Sequence, residues 1–185
     1  MSTTNSLDRR NRENVKRILE SQFPGSEYIL TEKFVASRGG REYLDRYFGI
    51  DGFLKAQSGQ YWTVQTKVRS YRYFGLKTYP DQSGPDITLE YKNNHGLDNE
   101  YPGEFFHLGA QLYLYAWERK TENGIYRWVL LNTAAYKANI EAQGGLDAIG
   151  CFRVNETYSR VSFYTIPLER LERAVVAHSG NIQWW

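Results

Sequence analysis

The alternation of apolar and polar positions divides the chain into a leading helix, a long run of strands and a closing mixture of both. Residues 7–23 set Val15, Ile18 and Leu19 on one stripe, with Leu7 one face-repeat earlier, which predicts a helix. Asp8 suits the positive end of its dipole, and Pro24-Gly25 stops it. Residues 26–36 read as a short strand and Ser37-Arg38-Gly39-Gly40 as a loop. Residues 41–48 fit a helical turn or a strand equally. Residues 49–56 and 61–74 form a β-hairpin around Ser58-Gly59. In its second strand Trp62, Val64, Thr66 and Val68 point one way, while Tyr61, Thr63, Gln65, Lys67 and Arg69 point the other.

Past a loop with Pro80, Gly84 and Pro85, residues 86–93 alternate as a strand with Ile87, Leu89 and Tyr91 on one face. A loop over 94–103 leads to a short helix opening at 103–111, then to strands at 111–119 and 124–132. Thr133 is expected to cap a helix over 134–143, which Gly144-Gly145 ends. One or two strands at 152–167 and a last helix at 168–179 complete the chain. This order predicts an α/β (α+β) fold with a mixed central β-sheet flanked by helices.

The composition narrows the class. The chain has 185 residues and no repeat or linker, so residues 1–185 are expected to form one domain. A formal charge of +2 does not by itself indicate nucleic acid, so attraction to phosphate must come from local patches. The single cysteine, Cys151, excludes an internal disulfide and suits a reducing compartment. The polar N-terminus lacks a signal-peptide core, and no apolar run reaches the roughly 18 residues of a membrane span. A cytoplasmic, intracellular protein without membrane contact is expected. No glycine-rich phosphate loop precedes a Lys-Ser/Thr pair, so no nucleotide cofactor is expected. Aromatic residues are abundant at 16%. Rings suit strands, and they also suit surfaces that stack on bases.

The hairpin carries the candidate chemistry. Asp51 lies on its first strand, and Gln65 and Lys67 share a face of the second. A divalent cation takes hard oxygen ligands. Asp51 offers a carboxylate, Gln65 an amide oxygen and Thr66 a backbone carbonyl. Lys67 is then suited to orient or deprotonate a water, or to stabilise charge developing on a phosphodiester. A second stretch, Pro85-Asp86 followed by Glu90-Tyr91-Lys92, spells a similar pattern on a single strand. Its two carboxylates would stand about 13 Å apart, too far for one cation. It is expected to be an ordinary strand with solvated charges.

Asp51, thirteen residues, then Gln65-Thr66-Lys67 resembles the PD-(D/E)XK nuclease superfamily, the restriction-endonuclease-like fold. It is most similar to the branch in which Gln replaces the acidic residue before the lysine. The helix at 7–23, the strand at 86–93 and the helix and strands after it fit that resemblance, which covers residues 7–132. The resemblance implies Asp51 as principal metal ligand, Gln65 in the place of the second carboxylate and Lys67 as catalytic lysine. It also implies a glutamate from the first helix, for which Glu13 and Glu20 are the candidates. The metal would be Mg²⁺ or Mn²⁺ and the substrate DNA. Two-strand cutting further implies a homodimer, for which Trp184-Trp185 offers either an interface or side chains that tuck into the core. Ile50 stands where the family usually has Pro, and Gln65 removes one negative charge from the site. The basic, aromatic run at 67–77 sets Arg69, Tyr71, Arg72, Tyr73 and Lys77 as candidates for phosphate contact and base stacking, or for a charged sheet edge. Two functions follow: a metal-dependent deoxyribonuclease, or an inactive nuclease-fold protein that binds nucleic acid or a protein.

Overall fold

The structure is a computed structural model that describes residues 4–70, 85–119, 124–156 and 160–180. The leading helix α1 spans Thr4–Gln22. β1 (Glu27–Leu30) follows, then a single turn, α2 (Thr31–Phe34). The stretch open between helix and strand is helical, and α3 (Arg38–Phe48) also takes in most of the expected loop. The Ser37 hydroxyl accepts from the Gly40 N–H and so caps it, which is the local reason that Gly39 and Gly40 enter a helix. β2 (Gly52–Lys55) and β3 (Tyr61–Arg69) form the expected antiparallel hairpin.

β4 covers Asp86–Asn93, as expected, and pairs with a two-residue strand, β5 (Tyr101–Pro102). The short helix α4 is Glu104–His107. β6 (Leu112–Glu118) and β7 (Ile125–Asn132) pair antiparallel. α5 (Thr133–Ala142) is capped by Asn132 rather than by Thr133. A further turn, α6 (Leu146–Ile149), precedes β8 (Cys151–Asn155) and β9 (Val161–Pro167). The expected last helix is instead a 3-10 helix over Leu168–Ala174, followed by β10 (Val175–His178). Val175, Ala177 and His178 pair with the edge of β7, and the β-branched Val175-Val176 favours a strand over a helix.

The strands form two sheets. The larger is mixed, in the order β1-β2-β3-β6-β7-β10, with β3 and β6 parallel. The smaller is antiparallel, in the order β5-β4-β9-β8. A mixed sheet flanked by helices was legible, whereas the second sheet was not. Residues 86–93 and 152–167 enter it, not the central one.

β6 occupies the middle of the larger sheet. Its Leu112, Leu114 and Ala116 join Val64, Val68 and Leu130 in a core against Val15 and Leu19 of α1. The alternate residues Tyr113, Tyr115 and Trp117 join Ile87, Leu89, Tyr164 and Ile166 in a core shared with the smaller sheet. Burial on both faces explains why this strand reads as an unbroken apolar run. No helix among the described residues is long and apolar enough to cross a membrane.

Candidate active site

The hairpin register sets the site. Gly52 pairs with Val64 at the last rung of the β2–β3 ladder. Asp51 lies one residue past it. Its N–H still donates to the Val64 carbonyl at 2.9 Å. Its carboxylate then continues the ladder in place of a strand. Asp51 Oδ2 accepts from the Thr66 N–H at 2.7 Å and from the Thr66 hydroxyl at 2.9 Å. By the two-residue period the Thr66 carbonyl lies on the same strand edge as that N–H.

Gln65 and Lys67 point to the opposite face from Val64 and Val68, as the alternation predicts, and neither is solvated: they are 8% and 4% exposed. The Gln65 Oε1 is buried and has no hydrogen-bond partner among the described residues. It lies where Gly49, the C-cap of α3 at φ +54°, meets the His107 carbonyl; a Cβ on Gly49 would stand 3.3 Å from Gln65 Oε1. Glycine is needed there twice, for the left-handed φ and for the space.

Lys67 is held by two carboxylates that sequence reasoning did not assign to it. Its Nζ donates to Glu90 Oε1 of β4 at 3.0 Å and to Glu104 of α4. Glu104 also accepts from the Tyr113 hydroxyl at 3.5 Å. Gly103 allows this approach: its N–H donates to the Tyr91 carbonyl at 2.7 Å, and any Cβ there would collide with the Glu90 backbone. Burial opposes the Lys67 charge, but Glu104 and Glu90 outweigh it and hold the ammonium above the ordinary lysine range. Lys67 attracts Glu90 below the usual carboxylate range despite burial. Glu104 moves the other way, because its burial outweighs the pull of Lys67. Lys67 is therefore a permanent cation at physiological pH, suited to stabilise negative charge and not to remove a proton from water.

The single-strand pattern at 85–92 is corrected in part. Its members do lie along one strand, and Lys92 is a surface residue paired with Glu100 at 2.7 Å. Its acidic residues are drawn out of solvent, Asp86 almost fully and Glu90 in part. Asp86 is buried, which pushes its carboxyl up to about 6 against the pull of Arg69, and Glu90 is turned to Lys67. Two carboxylates between Ile87, Leu89 and Tyr91 on one short strand were the available signal for burial. For Glu104 the signal was weaker, an acid between Gly103 and Phe105-Phe106.

The remaining candidates fall apart from Lys67. α1 packs on the other face of the sheet. There Glu13 is exposed, and Glu20 accepts from the Tyr28 N–H at 2.9 Å with Lys16 at 3.9 Å. Arg69, half-buried at the end of β3, acts electrostatically on Asp86, Glu90 and Glu104. Tyr71, Arg72, Tyr73 and Lys77 lie outside the described residues, as do Trp184 and Trp185.

Among the described residues no three of His, Cys, Asp and Glu converge as metal ligands. The oxygens of the hairpin that suit a hard cation are the Asp51 carboxylate, which is bonded to Thr66, and the buried Gln65 amide oxygen. An acceptor left buried without a partner costs about 1–3 kcal/mol, which a cation or a donor on a ligand would relieve. No family model, curated protein or solved structure matches the chain.

Proposed function

We propose that the protein is a metal-dependent nuclease of restriction-endonuclease-like fold that hydrolyses DNA phosphodiester bonds. The observation that carries this reading is the pairing of a buried amide oxygen at Gln65, without a partner among the described residues, with a buried cation two residues on, on a strand whose intervening Thr66 binds the Asp51 carboxylate. A buried polar group without a partner is costly, and a bound ion or a catalytic role is one reason to keep one.

Asp51 and Gln65 would hold Mg²⁺ or Mn²⁺, with the Thr66 carbonyl on the same strand edge. The cation supplies Lewis-acid polarisation of the phosphoryl oxygen and lowers the pKa of a bound water. Lys67 stabilises the charge that develops on the phosphate oxygens as water attacks. Glu104, whose proton affinity is raised by burial, is the carboxylate suited to receive the proton that water loses. Glu90 holds the Lys67 ammonium in line, and Asp51 keeps the edge of β3 satisfied through Thr66. DNA is the substrate class and a homodimer the form suited to cutting both strands.

One observation favours a second reading, an inactive protein of the same fold that binds nucleic acid or a protein. The Lys67 charge is already met by two carboxylates, and position 65 lacks one. The test is cleavage of plasmid, linear and branched DNA with Mg²⁺ and with EDTA, using wild type and Asp51→Asn, which keeps an oxygen to accept from Thr66. Cleavage that needs Mg²⁺ and falls by roughly a thousandfold in Asp51→Asn supports the nuclease. Absent cleavage, with no Mn²⁺ bound at millimolar concentration, supports the binder.

A further inference from the structure

A cleft of about 450 Å³ opens at the end of the larger sheet where β3 and β6 begin and α5 starts. Trp62, Leu108, Gln111, Asn132, Thr133 and Lys137 are among its lining residues. Its volume lies in the range of small-molecule sites, about 300–1,000 Å³. Leu108 joins it to the active site, since its Cα stands 3.4 Å from the point at Gly49 that also meets Gln65 Oε1.

Four features give the cleft one chemistry. The first is the N-terminus of α5, a ten-residue helix with no acidic residue in its first turn. Its Thr133 N–H donates to the Gln111 carbonyl and its Ala135 N–H to Asn132 Oδ1. The Ala134 N–H between them is the first-turn donor that neither bond uses, and it carries the positive end of the dipole. The second is Thr133 itself, a residue of the cleft lining, 4% exposed, whose buried hydroxyl has no hydrogen-bond partner among the described residues. The third is Lys137, one turn further along α5 and half-buried over the Phe105 ring at 5.6 Å. Burial lowers its proton affinity, and among the described residues no carboxylate is paired with it. The fourth is the Trp62 indole, half-buried and backed by Phe23 at 5.6 Å between ring centroids.

We infer that this cleft binds a nucleotide, its phosphate on the α5 N-terminus between Thr133 and Lys137 and its base against Trp62. A helix N-terminus with a lysine is a phosphate site by charge and by donor geometry. An indole gives a flat, sequence-tolerant platform for a base. The inference rests on the nuclease reading in one respect only: it takes the nucleotide to be part of the DNA strand whose scissile bond lies at Gln65 and Lys67.

The test uses the full chain in EDTA, so that cleavage plays no part. Inorganic phosphate, thymidine, thymidine monophosphate and tetrathymidylate are titrated while the Thr133, Ala134 and Lys137 amides and the Trp62 indole N–H are followed by NMR. The phosphate-bearing probes are expected to shift the three amides, and the two thymidylates to shift the indole as well; thymidine leaves the amides unmoved. Lys137→Gln, a surface-accessible change, is expected to weaken thymidine monophosphate roughly tenfold or more. Amides unmoved by every phosphate, thymidine acting as well as its phosphate, or unchanged binding in a folded Lys137→Gln would overturn the site. Saturation by the mononucleotide with exclusion of the tetramer would overturn its assignment to a strand. Should the cleft bind but plasmid remain uncut with Mg²⁺, the nuclease reading fails and the cleft stands. Should plasmid be cut while Lys137→Gln binds as wild type does, the cleft alone fails.

Discussion

Asp86 shows how one buried carboxyl sets a pH dependence. It opens β4 at 9% exposure, and burial raises its carboxyl to about 6, partly offset by Arg69 and by a backbone hydrogen bond. The unfolded chain releases this proton near 3.8. Between those values the folded state holds a proton that the unfolded state has lost. The carboxyl therefore favours folding only in acid, and its contribution falls as pH rises towards 6. Asp86→Asn is expected to stabilise the protein by about 2–3 kcal/mol at pH 8, with the gain shrinking towards zero near pH 4. Urea unfolding of both proteins at the two pH values checks this, and an equal gain at both would contradict it. At this scale the site was half legible. Asp51 reaches Thr66, the residue between Gln65 and Lys67, through a hairpin closed by a short turn, so spacing alone brings it to that strand. Glu90 and Glu104 reach Lys67 from 23 and 37 residues away, and no local pattern encodes that meeting.

Among the elements, α5 carries the clearest local device. Asn132 ends β7, where it pairs with Leu112, and its side chain accepts from the Ala135 N–H at 2.9 Å. Asn132→Ala is expected to cost about 1 kcal/mol and to raise amide exchange in the first turn of α5 first. Thermal melting and hydrogen exchange measure the two effects. Thr133 was the expected cap because Asn and Thr cap about equally well from sequence. The β6–β7 register decided between them, since it draws the Thr133 N–H to Gln111. Elements with strong periodicity were legible, with β4, β6 and β7 falling within a residue or two of their expected bounds. The segment 168–178 was not, because the partner that makes Val175–His178 a strand is β7, more than forty residues earlier. The same holds for the smaller sheet, whose pairing of β4 with β9 joins segments over seventy residues apart.

For the whole molecule, Lys67 and its carboxylates are a joint as well as a site. Lys67 belongs to the larger sheet, Glu90 to the smaller, and Glu104 to the helix between β5 and β6. The sequence alone suggests that Lys67→Ala removes activity and spares the fold; its 4% exposure between two acids says otherwise. Lys67→Met keeps the stem and removes the charge, leaving two partly buried carboxylates with only the pull of Arg69. A loss of about 3–5 kcal/mol is expected at pH 8. The loss is smaller at pH 5, because Glu104, already raised by burial, then takes a proton. Denaturant midpoints at both pH values test this, and a loss independent of pH would assign the effect to packing.

The parallel pairing of β3 with β6, whose first rung is Val64 with Leu112, has a consequence in time. It joins residues 48 apart, and the loop it closes contains β4 and α4. The meander β1–β2–β3 closes over short spans and can assemble early, whereas that long loop is entropically slow to shut. Lys67 meets Glu90 and Glu104 only after it has shut. The charge triad is thus a latch set last, so Lys67→Met should quicken unfolding while leaving the refolding rate nearly unchanged.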